Sequence, residues 1–461
     1  MKRYILLIVM AAVVASCGVY KPYSRQEINT EGLYGAKYET TDTTSIADLR
    51  WDEFFRDPHL QKLITQGLES NTDMQAAQLR IEAAEATLKA ARLAYLPSFN
   101  LTPNGGVSSF KSSAGSWTYS APISASWQLD IFGGITNAKR KAKAVYAESQ
   151  EYSQAVRTQL ISAIANYYYT LLMLDSQREV TRLTAESLNQ SATTMRSMMD
   201  AGMSNRAAVS QMEAAAYDAL TSLMDIDKQI SDIETSLSTL LGDTPHAIER
   251  GTLQSQEFPE EITTGVPLRL LANRPDVRIA EFRLMQAHYA TAAARSALYP
   301  TITISGLAGW TNNAGAIITN PGGLILSAAA SLTAPIFNGG KLRAQLKVAK
   351  AQQEETRLAF QQSILNAGGE VNSALTAIET ARGKRSLRTM QIAALESAAE
   401  STALMMQYGS TTYLEVLTAQ QNLLAGQIAQ INDRYEEIKG CITLYSALGG
   451  GRATEVAQQS R

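Results

Sequence analysis

The 461-residue sequence contains few of the side chains on which most catalytic and metal sites depend. Two cysteines and three histidines leave little material for a metal centre or a histidine-based catalytic site. Its 41 Lys and Arg residues are balanced by 43 Asp and Glu residues, so no excess positive charge would attract nucleic acid. After the first fifteen positions no run of about 18 apolar residues occurs, which excludes a helical membrane span from the body of the chain. These absences argue against a nucleic-acid binder, a metalloenzyme and an inner-membrane transporter.

The sequence also lacks the motifs of hydrolytic or nucleotide-driven chemistry. No P-loop, nucleophile elbow, dinucleotide fingerprint or pair of carboxylates occurs in a suitable context. His59, His246 and His288 are far apart in the chain and are interpreted as surface or packing residues. We therefore predict that the protein is not an enzyme and holds no metal or cofactor, and that another protein supplies any energy it needs.

The N-terminus has the pattern of a bacterial lipoprotein signal. Lys2 and Arg3 precede an apolar run at residues 4–14, which is long enough for a signal sequence and too short to span a bilayer. Small residues then lead directly to Cys17. We predict that residues 1–16 are removed and that Cys17 carries a covalent lipid, such as palmitate, that anchors the mature chain. An ordinary secretory signal with an incidental cysteine is the alternative.

Most of the remaining sequence is written twice, which predicts a tandem duplication. A helical run that ends at Pro97 recurs 203 residues later and ends at Pro300. Ile131-Phe132-Gly133-Gly134 recurs as Ile336-Phe337-Asn338-Gly339-Gly340. Because such matches keep their order along the chain, chance similarity does not explain them. The predicted segments are a lipidated extended segment (17–50), a first repeat (51–250), a second repeat (251–449) and a C-terminal tail (450–461).

Each repeat contains a predicted β-hairpin, at about residues 97–132 and 299–337. Apolar and polar residues alternate from Trp117 to Ile131, which indicates a strand with two different faces. Long strands with Trp and Tyr on the apolar face favour a membrane barrel over a soluble sheet packed on helices. Four strands cannot close a barrel, because the smallest barrels have about eight. Other subunits must complete it: two chains would supply eight strands and three would supply twelve.

Very long helices make up the rest of each repeat. Residues 134–202 and 340–409 contain no proline, and each run would form a helix of roughly 100 Å, longer than a bilayer is thick. A helix of about 25 residues precedes each hairpin, and about 40 further helical residues follow each long run. Apolar residues at 3.5-residue spacing, at 209–237 and from Leu414 to Tyr445, predict coiled-coil packing. The predicted fold class is an α+β membrane protein built from long coiled-coil helices and two β-hairpins.

Several motifs follow one another in a characteristic order. They are Arg274-Pro275-Asp276-Val277, Tyr408-Gly409, and the segments 126–133, 293–300, 334–340 and 413–421. Together they resemble the outer membrane factor family, the TolC-type channels, and especially its lipoprotein efflux branch of OprM-like and NodT-type proteins. The resemblance extends from Trp51 to Gly449.

The resemblance implies a homotrimer whose twelve-stranded barrel lies in the outer membrane and continues into an α-helical tunnel through the periplasm. It implies a passive exit duct of a tripartite efflux system, lipid-anchored and in contact with outer-membrane lipid. The implied partners are a periplasmic adaptor (membrane fusion) protein and an inner-membrane pump of the resistance-nodulation-division type. No nucleic acid is implied.

Two turns are implied to be adaptor-docking tips that open like an iris. Gly202 and Gly409 interrupt the helical pattern at these turns, as glycines that end helices do. The polar residues of the tips are Asp200, Ser204 and Asn205 in the first, and Ser410, Thr411 and Thr412 in the second. Ending a helix is itself a sufficient role for each glycine, and it is compatible with docking.

The resemblance also implies a periplasmic gate just after the second tip. Leu414 matches a hydrophobic gate position and Glu415 an acidic one, whereas Thr418 stands where many members have aspartate and Gln421 replaces a residue that is often basic. Three copies of Glu415 around a narrow axis would favour cations. Leu414 also fits the coiled-coil pattern, so helix packing is its alternative role. If Glu415 faces the periplasm instead of a pore, it is an ordinary surface charge.

Two other functions remain open at this point. One is the outer-membrane duct of a type I protein secretion system. The other is a periplasmic coiled-coil scaffold lipoprotein, which would form no barrel and conduct no ions. The two predicted hairpins argue against the scaffold, and nothing in the sequence names a transported compound.

Overall fold

The computed structural model describes residues 22–25, 32–35, 45–109, 116–258, 273–312 and 323–452. The predicted signal peptide and Cys17 lie outside these residues, so lipidation stays a prediction. The first half of the chain contains α1 (Trp51–Phe54), α2 (Pro58–Ser70), α3 (Thr72–Leu93), β1 (Ser98–Leu101), β2 (Asn104–Ser108), β3 (Ser116–Leu129), α4 (Gly134–Asp200) and α5 (Arg206–Leu240). The second half contains α6 (Pro275–Ser296), β4 (Thr301–Asn312), β5 (Gly323–Thr333), α7 (Lys341–Gln407) and α8 (Tyr413–Ala447).

The helix lengths confirm the predictions from proline-free sequence. Helices α4 and α7 have 67 residues each, and α5 and α8 have 35 residues each. Ion pairs one turn apart, such as Arg182–Glu186 and Lys228–Asp232, support their exposed faces. None of the helices in the described residues is both long and apolar enough to cross a bilayer.

The predicted seams are correct in α5 and only partly correct in α8. Val209, Met212 and Ala216 are buried in α5 as expected. In α8, Ile438 and Ile442 are buried, but Leu414 is 55% exposed and Val416 is completely buried in its place. A straight helix drifts about 20° per heptad against a 3.5-residue repeat, so one apolar stripe does not keep facing one partner over the length of α8. Leu414 is thus not part of the buried seam within the chain, and its role in a gate stays a prediction.

The described residues form two compact units. All five strands belong to the unit that includes Leu79–Glu151 and Ile279–Gln362. The other unit includes Asn29–Gln78, Tyr152–Arg278 and Ser363–Arg461, and it contains both turns between long and shorter helices.

The strands form one antiparallel sheet in the order β1-β3-β4-β5, with β2 continuing β1 along the same side of β3. The predicted first hairpin is confirmed, but its first strand is split in two. The split falls at Pro103, which has no N–H to donate to a neighbouring strand. Thr102 N still donates to Pro122 O at 3.1 Å. The order ends at β1 and β2 on one side and at β5 on the other, so in the described part of a single chain the sheet is open.

The strand register gathers the apolar residues on one face. Trp127 lies opposite Ile304, and Ile304 lies opposite Ala330. Because directly opposed residues share a face, the tryptophans of β3 and β4 also lie on this side. The three tryptophans are Trp117, Trp127 and Trp310. The predicted alternation is therefore confirmed for most of the sheet, with Leu307 and Ile325 as apolar exceptions on the other face.

In the other unit, hydrogen bonds in each half of the chain join the start of one helix to the end of another. In the first half, Asn71 caps α3 through the N–H groups of Asp73 and Met74, and its amide donates to Leu240 O at 2.9 Å. In the second half, Arg274 donates to Asp276 at 2.6 Å and to Ala447 O at 3.0 Å. The Arg-Pro-Asp motif thus serves as a structural joint between α6 and α8.

Candidate functional site: the helical tips and the gate segment

The first tip is the turn between α4 and α5, and its glycine has a definite conformational reason. Gly202 has φ of +76°, and the N–H groups of Gly202 and Met203 donate to the carbonyls of Met199 and Met198. This pair of bonds is the Schellman arrangement, in which a left-handed glycine ends the helix. Asn205 then starts α5 by accepting a hydrogen bond from Ala208 N at 3.0 Å. Asp200 is the last residue of α4 and is exposed.

The second tip, between α7 and α8, ends its helix in the same way. Gly409 has φ of +70°, and Gly409 and Ser410 donate to the carbonyls of Met406 and Met405. The following helix starts differently, because Thr412 makes no side-chain cap. Instead, the Thr411 hydroxyl donates to the carboxylate of Glu415, whose own N–H donates to Thr412 O at 3.1 Å. Glu415 therefore has a local structural contact besides any role in a pore.

A single hydrophobic cluster, which we name the tip core, joins the two tips. It consists of Ala192, Met195, Ala208, Val209, Met212, Met406 and Val416. All four long helices contribute to it, and the Ser204 hydroxyl donates to the sulfur of Met195 at 2.9 Å. The apolar periodicity of the sequence does not reveal this cluster, because its members come from four separate helices. Clustered methionines are the sequence signal for this cluster. Seven of the 14 methionines lie close to Gly202 or Gly409 in the sequence, namely Met195, Met198, Met199, Met203, Met212, Met405 and Met406.

The four predicted gate residues all lie on exposed surface of α8. Leu414, Thr418 and Gln421 follow one another at spacings of four and three residues, so they form one strip on the helix. The Thr418 hydroxyl donates to Leu414 O at 2.8 Å. Glu415 lies beside the strip and is also exposed. The chain therefore presents one large apolar side chain, one carboxylate and two neutral polar side chains to whatever lies beyond this surface.

Further along α7 and α8, a buried carboxylate holds the two helices together. Glu437 accepts hydrogen bonds from Arg385 at 2.6 Å, Arg434 at 2.8 Å and Arg382 at 3.0 Å, and its side chain is only 7% exposed. Burial alone would raise the pKa of Glu437. The hydrogen bonds from the three arginines outweigh burial and lower that pKa below its usual value. The cluster thus links α7 to α8 at a point beyond the gate segment.

No three His, Cys, Asp or Glu side chains in the described ranges are grouped closely enough to hold a metal ion. Cys441 is buried, and burial raises the pKa of its thiol to about 11. The thiol is thus a packing group of α8.

Comparisons with known proteins agree with this geometry. A sequence model of the outer membrane efflux protein family matches residues 63–243 and 266–450. The toluene efflux pump outer membrane protein TtgC of Pseudomonas putida is 26% identical over 100% of this chain and 98% of its own. SilC of Salmonella typhimurium, described as a probable outer membrane lipoprotein, is 26% identical over 89% of this chain and 90% of its own. A solved structure of CusC, from work on transmembrane channel formation, has a TM-score of 0.83 at 25% identity and covers 94% of this chain and 99% of CusC.

Long helices and a sheet with one apolar face, in a chain whose fold is similar to that of CusC, define the class of protein as an outer-membrane channel protein. The chain belongs to the outer membrane efflux protein family. It is an outer-membrane component of an efflux system, and members of the family are efflux channels rather than enzymes. The relatives do not favour a secretion duct or a periplasmic scaffold.

Proposed function

We propose that three copies of the chain form a twelve-stranded barrel in the outer membrane that continues into a helical tunnel. The open sheet, in which β1 and β2 together occupy one of four strand positions, carries this proposal through its shared apolar face. Trp117 and Trp127 are ten residues apart on that face of β3. Ten residues of strand cover roughly 33 Å, or about 25 Å once tilted by about 40°, which is the height of the apolar band of such barrels.

The tunnel is closed at the tips by the strip that contains Leu414. Leu414 is the only one of the four gate residues that is apolar, and it is exposed while its neighbour Val416 is buried in the tip core. We expect an exposed leucine beside a carboxylate where three copies of the helix converge on an axis, because the side chains of the other two copies would then cover it. Three leucines would narrow the pore and three Glu415 carboxylates would favour cations.

Partners of this channel dock at the tips. The exposed polar residues of both turns, Asp200 and Asn205 in one and Ser410 in the other, offer hydrogen-bonding groups to a periplasmic adaptor. The adaptor connects the channel to an inner-membrane pump of the resistance-nodulation-division type, since no motif in this chain supplies energy. Lipid on Cys17 anchors the assembly, in keeping with the description of SilC as a lipoprotein.

Single-channel recording tests the gate. Purified protein in planar bilayers should give small cation-selective currents, which Leu414→Ala should enlarge and Glu415→Ala should make less selective. Leu387→Ala is a matched control, because Leu387 is 64% exposed on α7 far along the chain from the second tip. Folded trimers that conduct identically with and without both substitutions would place the gate elsewhere. Folded protein that forms no channel and no trimer would overturn the proposal as a whole.

A further inference from the structure

A cavity lies between α7, α8 and the segment that follows α5. Its volume is about 440 Å³, which is within the range of sites that hold small molecules. Its lining includes Arg385 and Arg388 of α7, Arg434 of α8, and Leu253 and Gln254 of the segment after α5. We name this cavity the arginine pocket. All of these residues belong to one compact unit, so the pocket is built from a single chain.

The acidic side chains that line the pocket are largely buried and already engaged. Glu437 is 7% exposed and accepts hydrogen bonds from three arginines. Asp433 is 16% exposed and accepts from Arg388 at 2.8 Å and from Lys384 at 3.4 Å. These two carboxylates therefore hold the basic side chains in place and have little to offer to a further cation.

The arginines, in contrast, have donors to spare. A guanidinium group carries five N–H donors. Hydrogen bonds within the described part of the chain use one donor of Arg385 and two each of Arg388 and Arg434. Most N–H donors of these three side chains are therefore available to a ligand, and all three side chains line the same cavity.

Positive charge is in excess around the pocket. Its two carboxylates are contacted by five basic side chains, namely Arg382, Lys384, Arg385, Arg388 and Arg434. The neighbouring Glu436 contacts Lys439 instead. Basic groups thus outnumber acidic ones here, although the chain as a whole has a net charge of -2. Because a cleft lined by one sign of charge concentrates the field, the pocket favours an anion.

Guanidinium groups from two helices favour one shape of anion as well as its charge. Each planar guanidinium can bind a carboxylate or a phosphate through two parallel hydrogen bonds. Since Arg385 and Arg388 come from α7 and Arg434 comes from α8, a ligand needs at least two oxyanion groups to use both helices. Leu253 and Ile431 add apolar surface that suits a short carbon skeleton.

We propose that the arginine pocket binds a small compound with two or more oxyanion groups, either carboxylates or phosphates. Such a ligand would bridge α7 and α8 and so add to the link that Glu437 makes between them. The volume of the pocket favours a small compound over an extended acidic segment of another protein. Because the site is built within one chain, the proposal goes beyond the channel function and does not depend on it.

Isothermal titration calorimetry of the full-length protein in detergent tests the site. Citrate is the carboxylate probe and pyrophosphate is the phosphate probe, and sodium chloride keeps the ionic strength constant, because salt screens exposed charges. At least one probe should bind saturably at one site per chain, and the tighter probe identifies the preferred oxyanion. Arg385→Gln should weaken binding about 10- to 100-fold, because it removes charge-assisted hydrogen bonds to the ligand.

Further variants separate binding from folding. Arg385 is 61% exposed and Glu437 keeps two other arginines, so melting temperatures should show that Arg385→Gln still folds. Arg385→Lys keeps the charge without the planar fork and should bind with intermediate affinity. Gln254→Glu adds a carboxylate to the pocket and should weaken binding at least about 10-fold. Arg182→Gln is the matched control and should leave the affinity unchanged, because Arg182 also makes ion pairs but lies on α4, outside the pocket.

The location of the ligand is checked by hydrogen–deuterium exchange, in which the bound probe should protect peptides that cover residues 381–388 and 430–437. Folded wild-type protein that binds neither probe saturably would overturn the proposal. Equal weakening in Arg385→Gln and Arg182→Gln would indicate general charge screening and would also overturn it. A hexaglutamate peptide that binds more tightly than both probes would assign the pocket to an acidic protein segment and overturn the small ligand. None of these results changes the currents that test the channel.

Discussion

Replacing Gly409 with alanine should destabilise the second tip although the new methyl group would meet nothing. No heavy atom lies within 4 Å of the position that the Cβ atom would take. The cost comes from the backbone alone, because φ is +70° and the left-handed conformation costs an L-residue about 1–2 kcal/mol. The Schellman hydrogen bonds hold this φ in place, so the strain cannot relax without opening the turn.

Gly383 provides a matched control with the opposite sign. It lies within α7, and an added Cβ there would also meet nothing within 4 Å. Its φ is not in the left-handed region, so Gly383→Ala should stabilise the helix by about 0.8–1 kcal/mol. The same chemical change in equally open space should therefore differ by roughly 2–3 kcal/mol between the two sites.

Hydrogen–deuterium exchange resolves this difference better than global melting, because a tip opens locally at a lower free energy than the whole protein. Peptides that cover residues 404–412 should exchange about 5- to 30-fold faster in Gly409→Ala, as expected for a loss of about 1–2 kcal/mol. Peptides around residue 383 should exchange more slowly in Gly383→Ala. Unchanged exchange at the tip, or equal acceleration at both sites, would refute the argument from φ.

Two further predictions concern α8. Glu437→Gln should lower the free energy of unfolding by roughly 2–3 kcal/mol. This is less than for a fully buried ion pair, because the three arginines are partly exposed. The control Glu436→Gln changes an exposed neighbour and should lower the free energy of unfolding only slightly. Because the pKa of Glu437 is lowered in the folded state, the stabilisation by Glu437 should be present above about pH 4.5 and disappear as the pH falls through the lower folded-state pKa. Unfolding midpoints measured against pH check this dependence. Equal losses of stability in the Glu437 and Glu436 variants would contradict the role of Glu437. Cys441, with a pKa of about 11 against an ordinary 9.0, should react with iodoacetamide at pH 8 about 100-fold more slowly in the folded protein than in denaturant, and equal rates would show that the thiol is not buried.

The sequence predicts well those helices and strands that are determined by residues close together in the chain. Absence of proline predicts the 67-residue helices, and alternation predicts β3 with its apolar face, because both depend on residues close together in the chain. Gly202 and Gly409 are likewise readable as helix ends. Local patterns cannot say which of Leu414 and Val416 is buried, since that depends on how α8 is rotated against the three other helices of the tip core.

Long-range polar contacts are the other part that sequence reasoning could not supply. The Arg274-Pro275-Asp276 motif indicated the family. Its structural role is a hydrogen bond from Arg274, at the start of α6, to Ala447 at the end of α8, and these two residues are 173 positions apart. The three arginines around Glu437 were also invisible as a group, because two come from α7 and one from α8. The gate assignment itself stays a prediction until currents are measured.

The tip core has a mechanical consequence. Its central side chains are thioethers from three different helices, and methionine has flexible, unbranched bonds that let it fill irregular space. When helices slide past one another, such a filling can deform without leaving a void, so the ends of the protein can change shape at small energetic cost. Because the cluster contains side chains from the helices of both turns, a shift of one turn changes the packing around the other.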